Sequence, residues 1–496
     1  MDAIAVDIQP GVVDHGTDSR SEGRWLDASF VRWTNGVLHP IGGWEELSSV
    51  SISQSAARVG RGSHAWYDNS GIPRIAVGTW DKLYAWAGDP ATGLVDITPS
   101  VFTTGYLNAD ENLSYGGKDY GEGSYGVARQ SDGQTVQATC WHLDNFGQNL
   151  IALSTADNKI YQWALSSVAT QVSNAPTGNK AIIVTAERFL FALGAGGDPR
   201  KVQWCDRENL TQWTPAVTNE AGDITLQTNG NIICAEKVRG RTLILTSLDA
   251  HVATYQGPPT VYGFQRLASG CGVAGPLLST AISGMAFWMG ESQFFMYNGS
   301  TVTPIQCDVH DHVFKNINRE EIGSAFCVTN QKFNEVWWFY PSGGSKENDK
   351  YVVYDYLENH WSVGDLDRST GVDSGVFQYP HWIESTGEFY QHEKGFNHGG
   401  GKAFAETGPM RMNEGNRVLK VNSVIPEEDT QGEVEITFKT RFYPNDTETS
   451  HGPFNPANPT DVRFTGRQVR LRIDGDVGAD WRFGKMRMRG KEGGYR

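Results

Sequence analysis

From Ile75 to Trp86 the chain reads IAVGTWDKLYAW, a short apolar strand, a polar turn, and a second strand that ends on an aromatic. The apolar runs last four or five residues, the length of a strand and less than a helix needs. The unit returns as LIALSTADNKIYQW from Leu150, RFLFALGAGGDPRKVQW from Arg188 and RTLILTSLDAHVATY from Arg241. It returns again as AFWMGESQFFMYNG from Ala286, EVWWFYPSGGSKENDKYVVYDY from Glu335 and HWIESTGEFYQH from His381. The mean spacing is about 50 residues, within the range of propeller blades. A single hairpin cannot bury both its faces, whereas sheets stacked radially cover one another.

These observations predict an all-β fold: a propeller of roughly seven blades over residues 51–405, followed by a basic β-sandwich or barrel-like domain over 406–496. Residues 1–50 read as an N-terminal strand or arm, a candidate to complete the propeller. The competing reading is a set of unrelated hairpins in a sandwich. The stretch near 107–127 contains SYGGKDYGEGSYG and reads as an exposed insertion, with Tyr115, Tyr120 and Tyr125 as its candidate contact residues. Beyond Thr407 the strings RVLKVNSVIP, GEVEITFKTRFYP, VRFTGRQVRLRI and WRFGKMRMRG read as four longer strands. In the third, Val469, Leu471 and Ile473 should point inward and Arg470 and Arg472 outward. The Gly-rich FNHGGGKAF from Phe396 reads as the joint between the two parts.

Charge separates the two parts as well. The net formal charge is −15, which disfavours wrapping DNA by phosphate neutralisation but allows a lumen through which DNA slides. Residues 461–496 hold ten Arg or Lys against five Asp or Glu, so this end is +5 and the remainder −20. Arg463, Arg467, Arg470, Arg472, Arg482, Arg487 and Arg489 occupy alternate positions of successive strands, where many would share one face. Guanidinium forks suit carboxylates and phosphates alike, so contacts to a neighbouring subunit, contacts to DNA and a solvated face all remain open.

Signals for chemistry are weak. CDVHDH (Cys307–His312) could ligate zinc, but no second ligand pair with matching spacing is near it in sequence, and no metal is expected. HEKGFNH (His392–His398) spaces its imidazoles six apart, so they would not share a helical face. GAGG at Gly194 and GCG at Gly270 are turn glycines without a dinucleotide-binding frame. STADNKIYQW at Ser154 and SLDAHVATY at Ser247 approach a sialidase box but lack its glycine. No catalytic residue, cofactor or metal is assigned, and the chain is not read as an enzyme. The six scattered cysteines read as reduced, buried thiols. MDAIAVDIQPGVVDHG does not have the order of a signal peptide, and no apolar run reaches membrane-spanning length, so no membrane anchor is expected.

Several strings also resemble a known group. KVQWCDRENLTQWTP from Lys201, SGCGVAGPLLS and GMAFWMGESQFFMYNG within 269–299, and AETGPMRMNEGNRVLKVNSVIPEE from Ala405 look like the β-propeller tail proteins of short-tailed bacteriophages. So do FKTRFYP, VRFTGRQVRLRIDG, ADWRFGKMRMRG with a terminal GGYR, and RWTNGVLHPIGGW from Arg32. The resemblance implies a tail hub or nozzle made in the host cytoplasm and assembled into the virion as a ring, typically a homo-hexamer. That ring would lie below the portal and adaptor and above needle or fibre proteins, retaining the genome and then passing it without reading its sequence. The group has no catalytic residues to carry over. Two alternatives stand beside this reading, a receptor- or glycan-binding tail module and a propeller glycosidase.

Overall fold

The computed structural model describes residues 3–53, 58–111, 135–411, 417–427 and 430–494. Each of the seven repeated hairpins forms the two middle strands of a four-stranded antiparallel sheet, for example Pro73–Gly78 with Leu83–Trp86 and His381–Ile383 with Glu388–His392. The innermost strands are Ser63–Tyr67, Trp141–Phe146, Ala181–Val184, Ile232–Val238, Ser279–Ile282, Phe326–Asn330 and Thr370–Val372. Each lies beside the next, and the last lies beside the first, so seven blades close a ring. Strand Trp44–Ser51 is the outermost strand of blade seven and pairs antiparallel with Glu388–His392, tying the start of the propeller to its end.

Aromatics on the two inner strands of the blades form layers between them. Trp141, Trp288, Trp337, Trp338 and Trp382 are fully buried. Trp141 of blade two lies flat on Gly78 of blade one, where a β-carbon would run into the indole, and its Nε1 donates to the Thr79 carbonyl at 2.7 Å. Tight registry between blades therefore needs a large ring on one side and a glycine on the other.

The terminal domain is a sandwich of two sheets. One orders Ala3–Val6, Met486–Glu492, Leu419–Pro426 and Thr460–Gly466. The other carries Gln9–Val12, Arg24–Ser29, Phe404–Thr407, Gln468–Gly475, Val434–Arg441 and Thr449–Phe454. Between them Phe438 stacks on Phe464 with ring centroids 4.7 Å apart, and Val469, Leu471 and Ile473 are buried as expected.

Two readings are refined by this topology. Residues 1–50 are not a single arm: only Trp44–Ser51 completes the propeller, and the strands up to Ser29 belong to the sandwich. VRFTGRQVRLRI is not one strand: the chain crosses from one sheet to the other between Gly466 and Gln468. Both halves face the same core, and the inward positions shift phase at the crossing, from Val462 and Phe464 to Val469, Leu471 and Ile473.

The two domains share a continuous apolar core at blade six. Strands Gln9–Val12 and Arg24–Ser29 lie against the outer strand His360–Asp365. Gly11, with φ of +86°, passes so close to His360 that a β-carbon would overlap its side chain. A hairpin, Val31–Thr34 with Val37–Pro40, then leads into the propeller. Its Arg32 is held at 2.8 Å by Glu335 of blade six and 2.6 Å by Glu393 after blade seven, with its guanidinium 3.6 Å from the centre of the Phe333 ring. Burial works against the charged guanidinium, but the two carboxylates outweigh it and hold its pKa above the usual value. No helix among the described residues is long and apolar enough to cross a membrane.

Candidate functional site

The sandwich separates the seven candidate arginines into three groups. Arg463, Arg487 and Arg489 are exposed on the outer face of the first sheet, because Val462, Phe464, Met486 and Met488 take the inward positions of the same strands. Arg470 and Arg472 belong to the second sheet, whose outer face lies on the opposite side, and Arg467 sits in the crossing that leads into it. Arg482 follows Trp481 and lines a cleft of about 520 Å³ between the sandwich and the Arg32 hairpin. The expectation of one shared face fails at the Gly466 crossing, which sends successive strands to opposite sides of the sandwich.

The second-sheet group is engaged within the domain. Arg470 lies 3.0 Å from Glu448 and 3.8 Å from Glu406, while Arg472 lies 2.8 Å from Asp474 and 3.5 Å from Glu406. Arg472 also covers the Phe404 ring at 3.9 Å, and Arg467 stacks at 5.2 Å from the centre of Tyr443. Attraction to the nearby carboxylates holds Arg472 above its usual pKa against the opposing effect of burial. Three part-buried guanidiniums with local partners make a stabilising network rather than an open surface.

The first-sheet face is different. Lys420, Arg463, Arg487, Arg489 and Lys491 all project from it and are exposed. Lys420 and Lys491 are directly opposite one another across the strands, a like-charge pairing that disfavours the isolated sheet. Arg487 reaches Glu427 at 3.3 Å, whereas Arg463, Arg489, Lys420 and Lys491 have no ion-pair partner among the described residues. Sequence reading named the three arginines but missed both lysines. The alternation in RVLKVNS carried the signal for Lys420, but the cross-strand pairing does not exist until the sheet is assembled.

The propeller axis holds the other polar cluster, in a space of about 250 Å³ lined by all seven inner strands. Lys237 is paired with both oxygens of Asp144 at 2.9 Å, and the Ser279 hydroxyl donates to Glu236 at 2.7 Å. Burial pushes the Glu236 carboxyl up to about 7 and lowers His142 to about 4. Cys234 lies 3.3 Å from the Ser279 hydroxyl, and burial raises its thiol to about 12, which keeps it protonated and unreactive. The space is large enough for several waters, at about 30 Å³ each, and far too small for a nucleic-acid strand.

The remaining candidates are dispersed. His392 and His398 are buried beside Trp44: His392 accepts from Arg368 Nε at 2.9 Å, and His398 Nε2 donates to the Ile41 carbonyl at 3.1 Å. Cys140, Cys205, Cys234 and Cys271 are buried, and Cys307 and Cys327 are partly so. Tyr115, Tyr120 and Tyr125 lie outside the described residues.

No family model and no curated protein matches the chain. Solved structures similar to it include a catalytically inactive virginiamycin B lyase from Staphylococcus aureus with quinupristin, at 6% identity and a TM-score of 0.43, covering 70% of this chain and 98% of that one. PorZ, a surface component of the type-IX secretion system of Porphyromonas gingivalis, is similar at 8% identity and a TM-score of 0.35, covering 84% of this chain and 46% of that one. A gluconolactonase from Xanthomonas campestris is similar at 9% identity and a TM-score of 0.32, covering 74% of this chain and 98% of that one.

Proposed function

We propose that this chain is a structural subunit of a short-tailed bacteriophage tail, which joins copies of itself into a ring through the basic outer face of its terminal sandwich. The observation that carries the proposal is the face of Lys420, Arg463, Arg487, Arg489 and Lys491, whose charge is left largely uncompensated on a chain of net charge −15. An acidic propeller surface on a neighbouring copy is the complementary partner, and a head-to-side contact of this kind is heterologous and builds a ring when its rotation closes. The sequence likeness to tail hub and nozzle proteins supports the same reading. DNA would pass through the lumen between subunits, since the space on the propeller axis is too small for a nucleic-acid strand. Acidic walls repel phosphate and ease sliding, and at physiological salt their reach is about 8 Å.

The test is negative-stain microscopy and sedimentation of the purified chain at low salt, beside the triple variant Arg463→Glu, Arg487→Glu, Arg489→Glu. Rings for the wild type and monomers for the variant are expected, with the wild-type rings dissociating as salt rises. Monomers for both at high protein concentration, or virions that lack the chain and still hold and eject their DNA, would overturn the proposal.

A further inference from the structure

We propose that His15, His310 and Asp311 form a binding site for a divalent transition metal of the zinc class, which clasps the N-terminal segment of the sandwich to the propeller. His15 follows the strand Gln9–Val12, and the other two begin the short helix His310–Phe314. Residues nearly 300 positions apart in sequence thus bring two imidazole nitrogens to one carboxylate oxygen. Asp311 Oδ1 lies 3.1 Å from His15 Nδ1 and 3.2 Å from His310 Nδ1, and the three atoms all lie within 4.8 Å of one another. Ligands about 2.0–2.1 Å from a tetrahedral ion are about 3.3 Å apart, so small movements would seat the metal.

The surrounding hydrogen bonds favour a metal over a simple contact. His310 Nε2 lies 3.0 Å from the Ser292 carbonyl, which can only accept, so Nε2 carries the proton. In the neutral ring Nδ1 then bears a lone pair that points at the lone pairs of Asp311 Oδ1, an arrangement a cation between them resolves. The other carboxylate oxygen, Oδ2, accepts from the Gly16 N–H at 3.0 Å and from Lys315 Nζ at 2.7 Å. One oxygen is therefore fixed by the protein while the other faces the imidazoles, as outer-shell partners of a metal site do. His15 and His310 line an open trough of about 460 Å³, which leaves a fourth position for water.

The same loop is anchored by contacts that would place the ligands before metal arrives. The Asp14 N–H donates to the Asp308 carbonyl at 2.9 Å, and His312 Nδ1 lies 3.1 Å from Asp14 Oδ2. A bound ion would therefore reinforce an existing contact between the two domains rather than create one.

The experiment uses tag-free full-length protein, stripped with EDTA and dialysed, titrated with ZnCl2 by calorimetry and with CoCl2 by visible absorption. The expected result is one equivalent bound, with tetrahedral Co2+ bands, and a loss of affinity of about 100-fold or more in His15→Ala, His310→Ala and Asp311→Asn. His451→Ala, a histidine remote from the cluster, should bind as the wild type does. Zinc should also slow proteolysis within residues 13–23 in the wild type but not in His15→Ala, whose half-exposed side chain can be removed without loss of the fold. Absence of stoichiometric binding by folded wild-type protein, or unchanged affinity in His15→Ala, would overturn the proposal.

Discussion

Replacing Arg32 by Met removes the cation that pairs with both Glu335 and Glu393 while keeping most of the side-chain volume. Three groups lose partners at once: the carboxylates, which are 5% and 7% exposed, and the Phe333 ring under the guanidinium. Trp337 Nε1 and Asn330 Nδ2 still donate to the carboxylates, at 2.9 Å and 2.8 Å, so solvation is reduced but not abolished. Breaking a buried pair from one side costs about 3–5 kcal/mol. Unfolding entropy of about 2.1 cal/mol/K per residue gives about 1 kcal/mol/K for this length, so cooperative unfolding predicts a fall in Tm of about 3–5 °C. The pH dependence follows from the carboxylates. In the wild type, burial raises Glu335, whereas Arg32 reverses that effect at Glu393 and holds it below its usual value. Without Arg32 both rise above their unfolded values. A raised group contributes stability that is fully present below its unfolded pKa and lost as pH rises through the folded one. The deficit of the variant is therefore largest near neutrality and shrinks toward about pH 4.3. Scanning fluorimetry from neutral to acidic pH, with hydrogen exchange over residues 31–51, measures both. A deficit that is absent at neutral pH, or that grows on acidification, would refute the reasoning.

Glu236→Gln on the propeller axis should act in the opposite direction. The folded carboxyl titrates near 7, so the wild type loses stability as pH rises through that value, and the amide should gain relative stability there. Because the residue keeps part of its surface exposed, the gain is about 1–2 kcal/mol, measured as a difference in chemical denaturation between mildly acidic and alkaline buffer. Gly78→Ala places a methyl group in the Trp141 indole and should destabilise the interface between blades one and two by about 1–3 kcal/mol, read from a denaturant midpoint. On the sandwich, Lys420→Glu should relieve the repulsion from Lys491 and raise Tm slightly in the monomer while weakening ring assembly, an opposite pair of effects that sedimentation and calorimetry separate.

The blades were legible because a propeller is built from a local unit. Each hairpin from IAVGTWDKLYAW to HWIESTGEFYQH pairs with itself over a short loop, so its two strands and turn are written in consecutive residues. The outermost strand of blade seven was only partly legible, since Trp44–Ser51 pairs with a strand over 300 residues away and its own pattern names no partner. The sandwich was read as a separate basic domain, but its first sheet draws on Ala3–Val6 and its second on Gln9–Val12 and Arg24–Ser29.

Sequence by itself determined the all-β class, the repeat, the Val469, Leu471 and Ile473 core positions, and the separation of charge between the two ends. Tertiary structure alone decided which charges act together. A strand fixes only which of two faces a side chain takes, and the crossing between Gly466 and Gln468 reverses what that face looks onto. Arg463 and Arg472, nine residues apart, consequently emerge on opposite sides of the sandwich. His15 and Asp311, nearly three hundred apart, meet because pairing between distant strands is set by burial of the whole core and not by neighbours along the chain.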